Sequence, residues 1–214
     1  MRPRYGKSVY FLVMTRPAWD FSQPLVNDPP IWGTSFLELP EFYNVTILLP
    51  DGRAWPWQVH AVPYPTSFHP PNLACFKAWV QRVKRSRRTS LIIFAGGGGI
   101  GATPNIRRSI RKECDNGNSS MSRNTTNSSE RDTPTRRLTF DAITAGCIPV
   151  FFEELSAKMQ YQWHLPEDKY PEFSVFIPKE EVVFKRLKIL DVLMVIPRSE
   201  VRKMRESIVE LIPI

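Results

Sequence analysis

The stretch Thr133-Pro-Thr-Arg-Arg-Leu-Thr-Phe-Asp-Ala-Ile-Thr-Ala-Gly146-Cys-Ile-Pro-Val-Phe-Phe152 reads as a helix followed at once by a strand. Thr133 before Pro134 suits an N-cap and a first helical position. The hydroxyl can accept from a free helix N–H, and proline lacks the N–H that would be left over there. Leu138, Ala142 and Ala145 share a face, and Gly146 stands where the chain leaves a helix through left-handed backbone. Cys147 to Phe152 is then a short buried strand, with Pro149 near its start or at a bulge.

Upstream lies a second unit of the same kind. Asn72 is placed to cap a helix whose apolar residues Leu73, Phe76, Val80 and Val83 recur at three- and four-residue intervals. Its end is basic (Arg82, Lys84, Arg85, then Arg87 and Arg88), which complements the negative end of the helix dipole. Leu91 to Ala95 reads as a buried strand, Gly96 to Gly101 as a glycine loop, and Thr103-Pro104 as the cap and start of a helix with Ile106 and Ile110 inward. Farther out, residues 8–14 and 45–49 are short apolar strands, and 53–71 is a proline-rich extended connector taken as a boundary. Near the end, Ser199 is placed to cap a helix carrying Val201, Met204, Ile208 and Leu211, stopped by Pro213. Residues 115–131 are polar apart from one Met and predict a flexible loop. The alternation predicts an α/β fold with a largely parallel sheet.

At 214 residues the chain is long enough for one or two domains, and its 42% hydrophobic content excludes general disorder. It has no apolar run of membrane-spanning length and no targeting segment is expected in it. Cys75, Cys114 and Cys147 are too few and too scattered for a disulfide framework, and at most one bridge can form. His60, His69 and His164 are isolated, so no metal is expected; Trp163-His164-Leu165-Pro166 reads as packing. Four Asn-x-Ser/Thr sequons occur, at Asn44, Asn118, Asn124 and Asn127. The net charge of +8 is local: residues 82–112 hold nine of the 29 Lys and Arg and no acid. Such a chain attracts anions.

Two places invite chemistry. Gly96-Gly-Gly-Gly-Ile-Gly101 matches a dinucleotide fingerprint by letter and by strand-helix context, but four consecutive glycines match many patterns. A substrate-facing loop and a plain turn remain open beside it. In Thr135-Arg136-Arg137-Leu-Thr139-Phe-Asp141, two arginines sit in a first helical turn, against the positive end of the dipole at about 0.3–1 kcal/mol each. A bound anion reverses that sign, with Asp141 one turn on to orient an arginine. Alternatively one arginine points to solvent and the other pairs with Asp141 at i, i+4. Glu153-Glu154 follow the second strand, at the end where ligands sit or as a solvated loop.

Thr135 to Phe152 resembles the signature of exostosin-type glycosyltransferases of family 47, in the plant branch that includes xyloglucan galactosyltransferases. Further matching segments, in family order, include Ala18-Trp-Asp-Phe21, Asn44-Val-Thr46, Val62-Pro-Tyr-Pro-Thr-Ser-Phe-His-Pro70, Tyr161-Gln-Trp-His-Leu-Pro166 and Ser174-Val-Phe-Ile-Pro178. The resemblance implies an inverting enzyme of GT-B type, with incomplete Rossmann-like layers. Residues 1–71 would be the end of the acceptor-side domain with its connector, and 72–214 the domain holding a nucleotide sugar. The implied partners are a UDP-sugar donor, with galactose as the sugar expected from the branch, and a polysaccharide acceptor such as xyloglucan in the Golgi lumen. No cofactor, no metal and no nucleic acid partner are implied, and membrane attachment would be through an anchor absent from this chain. By position, Thr135, Arg136, Arg137, Thr139 and Asp141 fall in the donor site and Gly96 and Gly97 in the loop facing it; no residue is assigned as the base. Compared with the family, the chain is expected to be truncated and to lack a central strand between Cys114 and Asp132. A vestigial nucleotide- or glycan-binding protein without turnover, or a basic nucleic-acid-binding protein, are the alternative functions.

Overall fold

The computed structural model describes residues 10–21, 34–51, 59–95, 105–116, 120–123, 137–153, 157–162, 164–165 and 167–212. Its N-terminal part is a three-stranded parallel sheet of β1 (Phe11–Val13), β2 (Thr46–Leu49) and β3 (Val59–Ala61), with β2 in the middle. Alternation along β2 places Ile47 and Leu49 on one face, where both are fully buried. They pack with Ala18, Leu37 and Val59 into a cluster confined to this part of the chain. Full burial of each such side chain is worth roughly 1.5–3 kcal/mol. The connector is therefore not wholly loop: Val59–Ala61 is a strand, because β2 offers it a free edge.

Asn72 caps α1 (Leu73–Arg85) as its position predicts, its Oδ1 accepting from Cys75 N at 2.9 Å. Next, β4 (Ile92–Ala95), α2 (Ile106–Asn116) and β5 (Ser120–Arg123) form a parallel strand-helix-strand unit. Two expectations are corrected here. The cap of α2 is Asn105, whose Oδ1 accepts from Arg108 N at 2.9 Å; Thr103 and Pro104 lie outside the described residues. The polar loop across 115–131 and the missing central strand do not hold at 120–123, since Ser120–Arg123 pairs with β4 in register over four residues. A ladder is built by backbone groups, so an open parallel edge recruits even a Ser-Met-Ser-Arg segment.

The remainder comprises α3 (Arg137–Thr144), β6 (Val150–Phe151), α4 (Ala157–Gln160), α5 (Tyr170–Phe173), β7 (Val175–Phe176), α6 (Lys179–Val183), α7 (Ile189–Met194) and α8 (Arg198–Leu211). The buried face of α3 is Phe140 and Ile143, not the predicted face, and Leu138 is 45% exposed. The aromatic ring buries more area than the small alanines, which turns the helix toward it. Residue 133 and its proline lie outside the described residues. In α8, Pro197 takes the cap position and Ser199 sits within the first turn, while Met204 and Ile208 are buried as predicted. Proline can hold that place because its fixed φ suits the entry to a helix.

Every strand pairing described is parallel, as expected, but the strands form three small sheets, β1-β2-β3, β4-β5 and β6-β7. The latter two share a core. Ile92 and Phe94 of β4 join Val150, Phe152 and Val175 around Ile110, Ile177, Val182 and Ile189. A second core joins α3, α5 and α8 through Phe140, Ile143, Tyr170, Phe173 and Ile208, and Ala61 and Tyr64 of the connector pack against it. Glu113 of α2 accepts from the N–H groups of Ile189 and Leu190 at 3.0 and 2.9 Å, capping α7 with a carboxylate at its positive end.

Candidate functional site

The cluster that the structure builds around α3 begins in the connector. The Thr66 hydroxyl accepts from Phe68 N at 3.3 Å, making a tight local turn. Phe68 then stacks on Trp79 of α1 with ring centroids 4.8 Å apart. Between these two anchors Ser67 is presented to α3. Its N–H donates to Asp141 Oδ1 at 2.6 Å and its hydroxyl to Asp141 Oδ2 at 3.1 Å. Arg137 Nη2 donates to the same hydroxyl at 2.8 Å, and Arg137 Nε lies 3.5 Å from Asp141 Oδ2.

Arg137, Asp141 and Ser67 are thus brought together, and the i, i+4 pairing is present. Asp141 has both oxygens engaged, so its part here is to hold and orient. The guanidinium carries five donors, of which the contacts described use those on Nε and Nη2. The side chain of Arg137 is 55% exposed and that of Asp141 23%, a setting in which an ion pair contributes about 0–1 kcal/mol to stability. Thr139 is half-buried on the same helix. Thr135, Arg136, Gly96 and Gly97 lie outside the described residues; β4 ends at Ala95, immediately before Gly96.

The other end of α3 is closed differently. Gly146 has φ of 71°, its N–H donates to Ile143 O and that of Cys147 to Ala142 O, each at 2.8 Å, which is the left-handed helix stop that the glycine predicted. Trp79 Nε1 donates to Thr144 O at 2.9 Å, and Arg88 donates to Ala145 O. Trp79 therefore positions both the connector and α3.

Other sequence candidates separate from this cluster. Glu153 accepts from Lys179 Nζ at 3.0 Å, and this bond pushes the lysine pKa up; Glu154 is outside the described residues. His164 belongs to a turn whose Leu165 is buried in the core, in keeping with packing. All three cysteines are free thiols; burial, followed by Asp115 and Glu113, pushes the Cys114 pKa up. Asn44 is exposed in the turn before β2, and the other three sequon asparagines are outside the described residues. Among the described residues, no group of three His, Cys, Asp or Glu is close enough to hold a metal, and no helix is long and apolar enough to cross a membrane.

Sequence reasoning missed Ser67, because a lone serine in a proline-rich segment carries no periodicity or spacing signal. It also missed a cavity of about 490 Å³ lined by Phe151, Lys158, Tyr170, Phe176 and Met204 among others. Lys158 lies over the Phe176 ring at 5.6 Å, and burial pushes the Tyr170 phenol pKa up.

Residues 8–193 match the Exostosin GT47 domain. The chain belongs to this exostosin family. It is 56% identical, over 95% of its length, to a probable xyloglucan galactosyltransferase of Arabidopsis thaliana, of which it covers 53%. A xyloglucan galactosyltransferase of the same plant is 35% identical over 95% of this chain and 36% of its own length. A xyloglucan-specific galacturonosyltransferase of that plant is 36% identical over 99% of this chain and 34% of its own. The exostosin chain thus spans about half or less of the length of these relatives. No solved structure matches it.

Proposed function

We propose that this exostosin chain carries the donor-binding part of a glycosyltransferase that moves a sugar from a UDP-sugar to xyloglucan, with inversion and in the Golgi lumen. The observation that carries the reading is the 56% identity to a probable xyloglucan galactosyltransferase across 95% of the chain. Galactose is the preferred sugar on that ground, and the similarity to a galacturonosyltransferase makes UDP-galacturonic acid the comparison to run. The layers are taken as GT-B type, with 72–214 as the nucleotide-sugar domain and 1–71 as the end of the acceptor-side domain. The separate N-terminal core of Ala18, Leu37, Ile47, Leu49 and Val59 supports that division.

The donor site is assigned to Thr135, Arg136, Arg137, Thr139 and Asp141, with Gly96 and Gly97 facing it. Inverting transfer needs a base to take the proton from the acceptor hydroxyl and positive charge to stabilise the leaving diphosphate. The arginines supply the second. Asp141, held by Ser67 and Arg137, orients a guanidinium and is not assigned as the base.

Calorimetry with UDP tests the site: the Arg136→Ala, Arg137→Ala double variant should lose most of the affinity, and unchanged binding would sink the assignment. Transfer is tested separately with radiolabelled UDP-galactose and UDP-galacturonic acid on xyloglucan. A second reading, nucleotide binding without turnover, is favoured by the engagement of both Asp141 oxygens. UDP binding with no label transferred from either donor would select it.

A further inference from the structure

We infer that Ser67 is the positioning residue of this site, holding Arg137 and Asp141 in one geometry and thereby making nucleotide affinity depend on where the connector lies. The inference rests on the donor-site reading above. Ser67 lies 74 residues from Asp141 and 70 from Arg137, so its contacts join two distant segments rather than decorate one helix.

The chemistry requires a hydroxyl. Oγ accepts from Arg137 Nη2 and donates to Asp141 Oδ2, and only a group that is donor and acceptor at once can do both. Alanine can do neither, whereas threonine keeps both. Arg137 is long and half-exposed, and ordering such a side chain costs rotamer entropy. Where Ser67 and Asp141 have already ordered it, an arriving diphosphate meets a preorganised guanidinium and binds more tightly. The backbone of Ser67 is itself located by the Thr66 turn and the Phe68–Trp79 stack, so the geometry passes from α1 through the connector to Arg137. Displacing the connector would undo all three of Ser67's hydrogen bonds to α3 together.

A double-mutant cycle read by UDP calorimetry tests this. Ser67→Ala should weaken UDP about five- to tenfold, and Ser67→Thr should bind within about twofold of the unmodified chain. Ser67→Ala added to Arg137→Ala should cost nothing further, because the serine acts through the arginine. The single variants should melt within about 2 °C of the unmodified chain. Unchanged UDP binding in Ser67→Ala beside a loss in Arg137→Ala would overturn the inference and leave the donor site standing. Losses that multiply in the double variant would also overturn it. Absence of UDP binding by the unmodified chain, or full binding after Arg136 and Arg137 are both replaced, would remove the donor site and this inference with it. Should Ser67→Ala melt early, Asp141→Asn probes the same hold from the other side, and unchanged UDP affinity there would overturn the proposal.

Discussion

The two ends of α3 are held by different means. At its C-terminal end the last carbonyls accept from Trp79, from Arg88 and from the N–H groups of Gly146 and Cys147, and the chain turns tightly against α1. At its N-terminal end Arg137, Asp141 and Ser67 meet near the surface. A helix end satisfied by packed neighbours is costly to disturb, because breaking it leaves the part-buried Thr144 carbonyl without its donor. An end held by exposed polar groups contributes little to stability. On the donor-site reading proposed above, the contrast is what is expected of an Arg137 kept for binding rather than for folding.

The comparison breaks most readily at Gly146. A Cβ there would overlap Val83 Cγ1, and the left-handed backbone disfavours any side chain. Gly146→Ala should therefore cost about 2–4 kcal/mol of unfolding free energy, measured by denaturant titration. Trp79→Phe keeps a ring for Phe68 to stack on but removes the donor to Thr144 O, and about 1–2 kcal/mol should be lost. Arg137→Ala should change stability by less than about 0.5 kcal/mol while UDP affinity falls about tenfold. If Arg137→Ala destabilised the chain as much as Gly146→Ala, both ends would be structural. Adding salt sharpens the contrast further, since screening should weaken UDP binding and leave the Trp79 bond untouched.

The sequence carries the local part of this structure well. Asn72 as a cap, the basic end of α1 and Gly146 as a stop were legible because each acts on backbone within a few residues of itself. The face of α3 was misread because spacing alone does not weigh Phe140 against Ala142 and Ala145. β5 was hidden for a different reason: its pairing is decided by the edge of β4, while its own Ser-Met-Ser-Arg composition argues for loop. Of the site, the Arg137–Asp141 pair was legible as i, i+4 spacing, whereas Ser67 depends on a contact across 74 residues that no local pattern encodes.

The buried hydroxyl of Tyr161 donates to Pro50 O at 2.7 Å across 111 residues. During synthesis the Pro50 carbonyl emerges long before its donor exists, and it must stay hydrated until Tyr161 leaves the ribosome. The closing of that loop carries an entropic cost that nearby contacts do not share. The last residue of β2 is followed at once by this carbonyl, so the N-terminal sheet gains this tether only after a further 111 residues have been made.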